Sequence, residues 1–340
     1  MLTLFRIVKH GPPINTRRSA LRIARRSGRD RVRQPFSQCG LLHENPSDPR
    51  YKLRRPSSRQ GDSMSRVLVT GGSRGIGHFI CRRIARDALA RGVTPKIVVT
   101  GTGASPDLDH VIAELQSLGA QALAVPGDLN DPEVPARLVA RAVEFCGGLD
   151  AVVHNAGGAI ASPLLKVKVA DWDTVFAVNC RAFLLLGIAA HRALRESKGS
   201  LCAIGSSASE QVQPYTAAYP PAKAALKMLA QQMAYEWGRH GIRVNCISPG
   251  LTLSRSTEAV LGSAEEQKRV GDQIPLRRIG APEDVAAAVA FIIGPDAAYI
   301  TGENINVDGG LRHVGTENML NGGSNEWTAH DANRMRPQSK

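Results

Sequence analysis

The sequence lacks the features of several common protein classes. Its six cysteines are scattered and form no C-x-x-C pair, so no disulfide framework or metal site is expected. The longest apolar run, residues 183–190, is far shorter than the roughly 20 residues that cross a bilayer. The apolar N-terminus is soon interrupted by Arg6 and Lys9, unlike a secretory signal. We therefore expect no membrane partner and a reducing, cytoplasmic environment.

Aromatic residues make up only 4% of the chain, and its net charge of +13 is unevenly distributed. Residues 1–63 hold 15 Lys or Arg and 4 Asp or Glu, so residues 64–340 carry a net charge of only +2. The basic segment does not interleave its three aromatic residues with basic ones, as a base-stacking platform requires. We therefore expect no nucleic-acid partner.

Three interpretations of residues 1–63 stay open. The segment is rich in Arg, Ser and Pro and has no sustained apolar period, which predicts disorder. It is a solvated tail, an Arg-rich and acid-poor organelle transit peptide, or translated upstream sequence with Met64 as the true start. A tail or a start-site error is favoured, because Pro12, Pro13 and Pro35 interrupt the amphipathic helix that a transit peptide needs.

From Met64 onward, short β-branched runs alternate with longer helical patterns. Continuous apolar strands separated by amphipathic helices predict a doubly wound α/β fold, with a parallel sheet covered on both faces. We expect one Rossmann-fold domain over residues 64–310 and a polar tail over residues 311–340. The predicted strands are 67–70, 96–100, 122–125, 151–154, 200–205, 243–247 and 304–307. The predicted helices are 76–91, 107–118, 132–145, 171–196, 221–239 and 282–293.

The segment 66–91 reads as a buried strand, a glycine turn and the start of a helix. Its turn, TGGSRGIG at residues 70–77, aims unpaired backbone N–H groups and the positive end of a helix dipole at an anion. Residues without side chains let a pyrophosphate approach closely. Taken alone, the pattern fits a ligand-free connection about as well as a dinucleotide site.

A second group of residues indicates acid–base chemistry. Tyr219 and Lys223 are four residues apart, so on a helix they share one face. A phenol ordinarily titrates near pH 10, and a neighbouring ammonium favours the phenolate form. Ser206 ends the preceding predicted strand, where its hydroxyl can hold a substrate oxygen. An isolated Tyr–Lys pair is more often surface packing, but the serine favours catalysis.

Five motifs, in order, resemble those of the short-chain dehydrogenase/reductase family over residues 65–310. They are TGxxxGxG at 70–77, HNAG at 154–157, Val178-Asn179, Ser206 with Tyr219 and Lys223, and Pro249-Gly250. The resemblance implies an oxidoreductase that interconverts a ketone and a secondary alcohol by hydride transfer with a nicotinamide dinucleotide. A small carbonyl or alcohol substrate is implied, with 3-oxoacyl thioesters as the first subtype, and so is a homodimer or homotetramer.

The resemblance also assigns roles to individual residues. Tyr219 donates or accepts the proton, Lys223 activates the tyrosine and binds the ribose, and Ser206 holds the substrate oxygen. Asn179 helps to hold a water that relays protons to Lys223. Ser206 is preferred to Ser207 because it lies 13 residues before the tyrosine, the family's spacing. The implied cofactor site comprises Gly71, Ser73, Arg74, Gly75, Ile76, Gly77, Thr102, Asp128, Leu129, Asn155, Ala156, Gly157, Tyr219, Lys223, Pro249 and Gly250.

Cofactor preference depends on the end of the second predicted strand. An acid there would bind the ribose 2′-hydroxyl of NAD(H) and repel a 2′-phosphate, but residues 98–102 contain none. Arg74, in the glycine turn, is placed to pair with a 2′-phosphate, and Thr102 adds a hydroxyl. The sequence therefore favours NADP(H), with NAD(H) as the second choice. Asp128 is expected at the adenine edge.

Two prolines depart from the family pattern. Pro220 and Pro221 follow Tyr219 directly, and proline both suits a helix's first turn and pushes the residue before it out of the α region. We therefore expect the helix to begin near Pro221, with Tyr219 at its edge. This departure motivates an alternative function, a catalytically weak relative that binds nucleotide as a sensor or scaffold. Residues 251–275 are expected to form a mobile loop over the substrate.

Overall fold

The computed structural model describes residues 64–254, 257 and 261–314, so predictions for residues 1–63 and 315–340 lie outside it. The seven predicted strands form one parallel sheet in the order β3-β2-β1-β4-β5-β6-β7. This confirms the predicted Rossmann-type α/β fold. The strands are β1 (Arg66–Thr70), β2 (Lys96–Val99), β3 (Gln121–Ala124), β4 (Ala151–His154), β5 (Ser200–Ile204), β6 (Arg243–Pro249) and β7 (Asn304–Val307).

Helices connect these strands and cover both faces of the sheet. The α-helices are α1 (Gly75–Ala90), α2 (Pro106–Ser117), α3 (Val134–Cys146), α4 (Val169–Phe176), α5 (Ala182–Ser197), α6 (Tyr219–Trp237), α7 (Ala264–Gly271) and α8 (Pro282–Ile293). Single 3₁₀ turns occupy Leu164–Lys166, Ser207–Ser209, Gly238–His240, Pro295–Ala297 and Leu311–His313. The last of these falls within the segment predicted as a polar tail.

Alternate side chains of β1 enter two separate cores. Val67 and Val69 face a core under α1, α2 and α8, whereas Leu68 faces a second core under α3, α5 and α6. All three are fully buried, as expected of a central strand in a parallel sheet. β1 pairs with β2 on one side and β4 on the other. The strand order therefore reverses at β1, and ligands of such sheets bind at the carboxyl ends of the strands beside this point.

Two connecting segments differ from the sequence prediction. The single helix predicted over residues 171–196 is interrupted by a π-helical turn, Ala177–Arg181, between α4 and α5. The predicted loop over residues 251–275 contains α7. Its N-cap is Ser263, whose hydroxyl accepts a hydrogen bond from the N–H of Glu266 at 3.2 Å. The serine and glutamate three residues apart are a helix-start signal that the sequence prediction overlooked.

Among the residues that the structure describes, one helical segment, Val169–Ser197, is long and apolar enough to cross a membrane by length and composition. Several of its apolar residues are buried inside the protein. Phe183, Leu186, Ala190 and Leu194 are fully buried in the core under α3, α5 and α6. Packing against the sheet therefore accounts for part of the apolar character of this segment.

The cysteines of the described residues are free thiols, four of them buried and one half-buried. Burial raises the pKa of the Cys146 and Cys246 thiols to about 11, so both stay protonated and unreactive near neutral pH. These cysteines act as small core residues, as the sequence predicted. The five are Cys81, Cys146, Cys180, Cys202 and Cys246.

Replacement of Phe183 tests the core under α5. Phe183 is fully buried, whereas Phe291 on α8 is 45% exposed. We expect Phe183→Ala to lower the free energy of unfolding by about 3–5 kcal/mol, because it leaves a cavity, and the matched Phe291→Ala by less than about 1 kcal/mol. Urea unfolding followed by circular dichroism measures both. Equal losses would contradict the described packing.

Candidate active site

The glycine turn after β1 packs closely on its neighbours. A Cβ on Gly71, whose φ is +62°, would lie 2.8 Å from the Cα of Ala156. A Cβ on Gly77 would lie 2.2 Å from the carbonyl oxygen of Gly71. Both contacts are too short for a side chain, so glycine is required for the turn to meet α1 and the segment after β4.

The N-terminus of α1 has the features of an anion site. Its N-cap, Arg74, makes no side-chain capping hydrogen bond, and the first turn holds no acidic residue. The first backbone N–H groups and the positive end of the helix dipole are therefore available to an anion, without a competing side chain. Ser73, Arg74 and Ile76 line a cavity of about 700 Å³, within the range of small-molecule sites. A dinucleotide pyrophosphate fits this environment.

The cavity wall brings together most of the predicted site residues, from the carboxyl ends of five strands. Gly71 follows β1, Thr102 follows β2, Asn155 follows β4, Ser206 follows β5, and Gly250 follows β6. The predicted residues that line the cavity are Gly71, Ser73, Arg74, Ile76, Thr102, Asn155, Ala156, Gly157, Ser206, Tyr219, Lys223, Pro249 and Gly250.

Five predicted residues are not part of this wall: Gly75, Gly77, Asp128, Leu129 and Asn179. Gly75 and Gly77 shape the turn and the start of α1. Asp128 is exposed, and its carboxylate accepts a hydrogen bond from the N–H of Asn130 at 2.9 Å. Leu129 is buried in a small apolar cluster beside α3. Their roles toward a cofactor stay predictions.

Tyr219 and Lys223 lie on one helix face, as their spacing predicts. The ammonium nitrogen of Lys223 is 5.6 Å from the ring centroid of Tyr219. The expected helix start near Pro221 is wrong by two residues, because α6 begins at Tyr219 and takes both prolines into its first turn. Proline is tolerated there since first-turn N–H groups have no intrahelical partner.

Lys223 and Asn179 are held by backbone groups. Lys223 is only 3% exposed, and its ammonium donates to the carbonyl oxygen of Ile204 at 2.7 Å. The Asn179 amide nitrogen donates to the carbonyls of Gly158 and Val175, both at 2.9 Å. Its amide oxygen accepts from the Gly158 N–H at 3.3 Å. The carboxamide of Asn179 is therefore fixed against the segment after β4.

Both candidate serines reach the cavity. Ser206 and Ser207 are each at most 8% exposed and both line the wall. The Ser206 hydroxyl accepts from the N–H of Ala208 at 3.1 Å and so caps the 3₁₀ turn after β5. An accepting hydroxyl oxygen keeps its own hydrogen free to donate to a substrate oxygen.

His154, the last residue of β4, is fully buried and connects three parts of the site. Its Nε2 lies 3.1 Å from the carbonyl oxygen of Val178, and its Nδ1 lies 3.1 Å from Oγ1 of Thr70. Thr70 Oγ1 also accepts from the N–H of Ala156 at 3.1 Å. Burial, with the nearby Lys223 ammonium, lowers the pKa of His154 to about 3. His154 is the first residue of the HNAG motif, and its sequence position alone indicated no role for it.

The cavity wall also contains residues that the sequence analysis did not identify. Gln211, Gln213, Thr252 and Leu311 line it. The Gln211 amide donates to the carbonyl oxygen of Arg312 at 3.2 Å, which brings the turn Leu311–His313 to the site. The position of Gln211 and Gln213 in the segment after β5 could have identified them, because ligand-binding residues lie at the carboxyl ends of the strands in such sheets.

The chain is similar to known enzymes over this whole domain. Residues 73–312 match the family described as enoyl-(acyl carrier protein) reductase. L-rhamnose 1-dehydrogenase (NAD(P)(+)) of Sphingomonas sp. strain SKA58 is 35% identical over 247 residues, which cover 72% of this chain and 95% of that protein. The 3-oxoacyl-[acyl-carrier-protein] reductase of Staphylococcus aureus is 31% identical over 246 residues, 72% of this chain and 97% of that protein.

Solved structures show the same likeness. A short chain dehydrogenase from Burkholderia cenocepacia J2315 in complex with NADP has a TM-score of 0.67 and 34% identity, over 74% of this chain and 98% of that one. A blue fluorescent protein from a metagenomic library in complex with NADPH has a TM-score of 0.67 and 30% identity, over 74% of this chain and 99% of that one.

Substitution of Gly157 tests the packing between Asn179 and Lys223. A Cβ there would lie 2.6 Å from the Asn179 amide oxygen and 3.2 Å from the Lys223 ammonium, whereas a Cβ on Gly238 would meet nothing within 4 Å. We expect Gly157→Ala to lower kcat by at least about 10-fold, because it displaces both groups, and Gly238→Ala to leave kcat unchanged. Steady-state kinetics decides, and an unaffected Gly157→Ala enzyme would contradict the geometry.

Acid unfolding tests the neutral state of His154. The folded pKa is about 3, and an unfolded histidine titrates near 6.5. Between these values the unfolded chain binds the extra proton, so this residue makes stability fall as pH falls below about 6.5, by up to ~1.4 kcal/mol per pH unit. Urea unfolding at pH 7, 6 and 5 should show a weaker pH dependence in His154→Gln than in the wild type. Identical pH dependence would contradict the assignment.

Proposed function

The chain belongs to the short-chain dehydrogenase/reductase family and is an NAD(P)(H)-dependent oxidoreductase, and we propose that Tyr219, Lys223, Ser206 and Asn179 perform its chemistry. Its reaction interconverts a ketone and a secondary alcohol by hydride transfer. The observation that carries the residue assignment is the position of the Lys223 ammonium, 5.6 Å from the Tyr219 ring centroid beside one cavity.

Each side chain has a task in the reductive direction. The bound nicotinamide supplies the hydride. Ser206 donates a hydrogen bond to the substrate carbonyl oxygen, and the Tyr219 phenol gives its proton to the same oxygen, which becomes the alcohol hydroxyl. The positive charge of Lys223 stabilises the phenolate that remains. Asn179, fixed on Gly158, helps to hold the water through which a proton returns toward Lys223.

We propose NADP(H) as the preferred cofactor and NAD(H) as the second. Arg74 is exposed at the cavity wall, so its guanidinium is free to swing onto a 2′-phosphate. Thr102, at the end of β2, lines the same wall. The NADP complex of the Burkholderia relative supports the preference, and the NAD(P)(+) specificity of the rhamnose dehydrogenase supports the second cofactor.

A 3-oxoacyl thioester is the first candidate substrate, supported by likeness to the Staphylococcus reductase. A small hydroxylated carbonyl compound or polyol is the second. It is favoured by the amide and hydroxyl groups of Ser207, Gln211, Gln213 and Thr252 in the cavity wall, which suit neutral hydroxyl groups. Assay of 3-oxoacyl thioesters and hydroxylated ketones with NADPH, and of polyols with NADP+, separates these candidates.

We also propose a cytoplasmic homo-oligomer, a dimer or a tetramer, with no membrane or nucleic-acid partner. Large apolar side chains of α5 and α6 are exposed in the monomer: Leu184 (36%), Ile188 (57%), Met228 (62%) and Tyr235 (90%). Their burial between subunits would remove an apolar patch from water. Light scattering of the purified full chain measures the subunit number.

The phenol of Tyr219 is the most direct test of the residue assignment. Tyr219→Phe keeps the ring and removes the proton, so we expect turnover to fall by about 10²–10⁴-fold while NADPH affinity changes by less than about threefold. The control, Tyr299→Phe, alters a fully exposed side chain and should have no effect. Full turnover in Tyr219→Phe would overturn the mechanism and favour a sensor or scaffold.

A further inference from the structure

The neutral side chain of His154, buried beside the site, has no direct role in the proposed chemistry. The ring of His154 is completely buried, and it does not line the cavity. A buried polar ring costs free energy unless both nitrogens are paired. Both nitrogens have partners here, and each partner belongs to a different functional segment.

The carbonyl of Val178 fixes the direction of these hydrogen bonds. A carbonyl oxygen only accepts, so Nε2 of His154 carries the hydrogen and donates it to Val178 at 3.1 Å. Nδ1 is then the acceptor, and the Thr70 hydroxyl donates to it at 3.1 Å. Thr70 in turn accepts from the N–H of Ala156. One directional chain therefore runs from the segment after β4, through the end of β1, to the π-helical turn.

The Val178 carbonyl belongs to the π-helical turn, Ala177–Arg181. π turns are rare and are inserted singly in α-helices, frequently at functional sites. Val178 and Asn179 are adjacent residues of this turn. A bond that fixes Val178 therefore also fixes Asn179. The amide nitrogen of Asn179 lies 2.9 Å from the carbonyl oxygen of Gly158.

Packing holds the histidine ring in the orientation that this bond requires. The ring of Phe183 lies 5.8 Å from the ring of His154, centroid to centroid, at an interplanar angle of 35°. Phe183 is one turn beyond Asn179 in the same continuous helix and is fully buried. The ring of His154 thus contacts this helix twice, through Val178 and through Phe183.

From this geometry we infer that His154 is a positioning residue for the reaction: through the Val178 carbonyl it fixes the turn that presents Asn179. The inference rests on the proposed role of Asn179 in the proposed function. His154 does not line the cavity, so we expect its effect on turnover to pass through Asn179.

Two substitutions separate the two ends of the ring. Gln places its terminal NH₂ near the position of Nε2 and keeps a donor for Val178, whereas Asn reaches only the position of Nδ1 and keeps an acceptor for Thr70. We expect His154→Asn to lower kcat about 10- to 100-fold, as a small misplacement of a catalytic group does. NADPH affinity and the KM of the ketone should change by less than about threefold. We expect His154→Gln to retain kcat within about fivefold of the wild type.

A double-mutant cycle distinguishes positioning from a loss of fold. Asn179→Ala and His154→Asn should lower kcat by similar factors, and the double variant should fall no further than Asn179→Ala alone, because both act through one carboxamide. NADPH binding capacity, titrated on the full chain, gives the folded fraction by which every kcat is corrected. A purely structural role would change that fraction and leave the corrected kcat unchanged.

Several results would overturn the inference. They are a wild-type kcat in His154→Asn, losses that multiply in the double variant, or a folded His154→Gln enzyme that is as slow as Asn179→Ala. The comparison of His154→Gln with Asn179→Ala remains decisive even if His154→Asn does not fold. Tyr219→Phe is assayed in parallel. If Tyr219→Phe loses turnover while His154→Asn keeps it, only the inference about His154 is rejected. Retained turnover in Tyr219→Phe rejects the proposed function itself.

Discussion

The buried ammonium of Lys223 is the constraint around which the site is arranged. Lys223 is only 3% exposed. A buried ammonium is costly unless it is paired, and here it is held by the carbonyl oxygen of Ile204 at the end of β5. The same charge lies beside the Tyr219 ring and next to the space that Gly157 leaves empty. It also contributes to the neutral state of His154. One charge thus links α6, the segment after β4 and the core.

The parallel sheet explains how distant residues reach this charge. Every strand that contributes to the cavity ends at the same edge, and the strand order reverses at β1. The segments that follow the strands therefore bring backbone N–H and carbonyl groups to this edge that have no hydrogen-bond partners within the strands. The Asn155 amide binds the carbonyl of Gly71 at 2.8 Å, and the Asn179 amide binds Gly158. These carboxamides join neighbouring segments, so the cavity is preorganised by side chains that belong to different elements.

Local patterns made most of the fold and half of the site geometry predictable. Apolar runs such as residues 67–69 identify buried strands, and a spacing of four residues places Tyr219 and Lys223 on one helix face. The π-helical turn was not predictable, because one extra residue in a helical turn leaves no periodic signal. The role of His154 was hidden for a different reason. Its partners, Thr70 and Val178, are distant in sequence, and only the assembled sheet brings them together.

Transfer of an isotope label from the cofactor shows whether a hydride reaches the carbonyl carbon of a ketone. NADPH that carries deuterium at the transferring position of C4 is incubated with the full chain and a panel of ketones and 3-oxoacyl thioesters. The product is then examined by mass spectrometry and NMR. The account predicts one deuterium on the carbinol carbon of the alcohol, with the hydroxyl proton derived from solvent. Binding of NADPH without labelled alcohol from any member of the panel would contradict it and identify a nucleotide-binding relative without this chemistry.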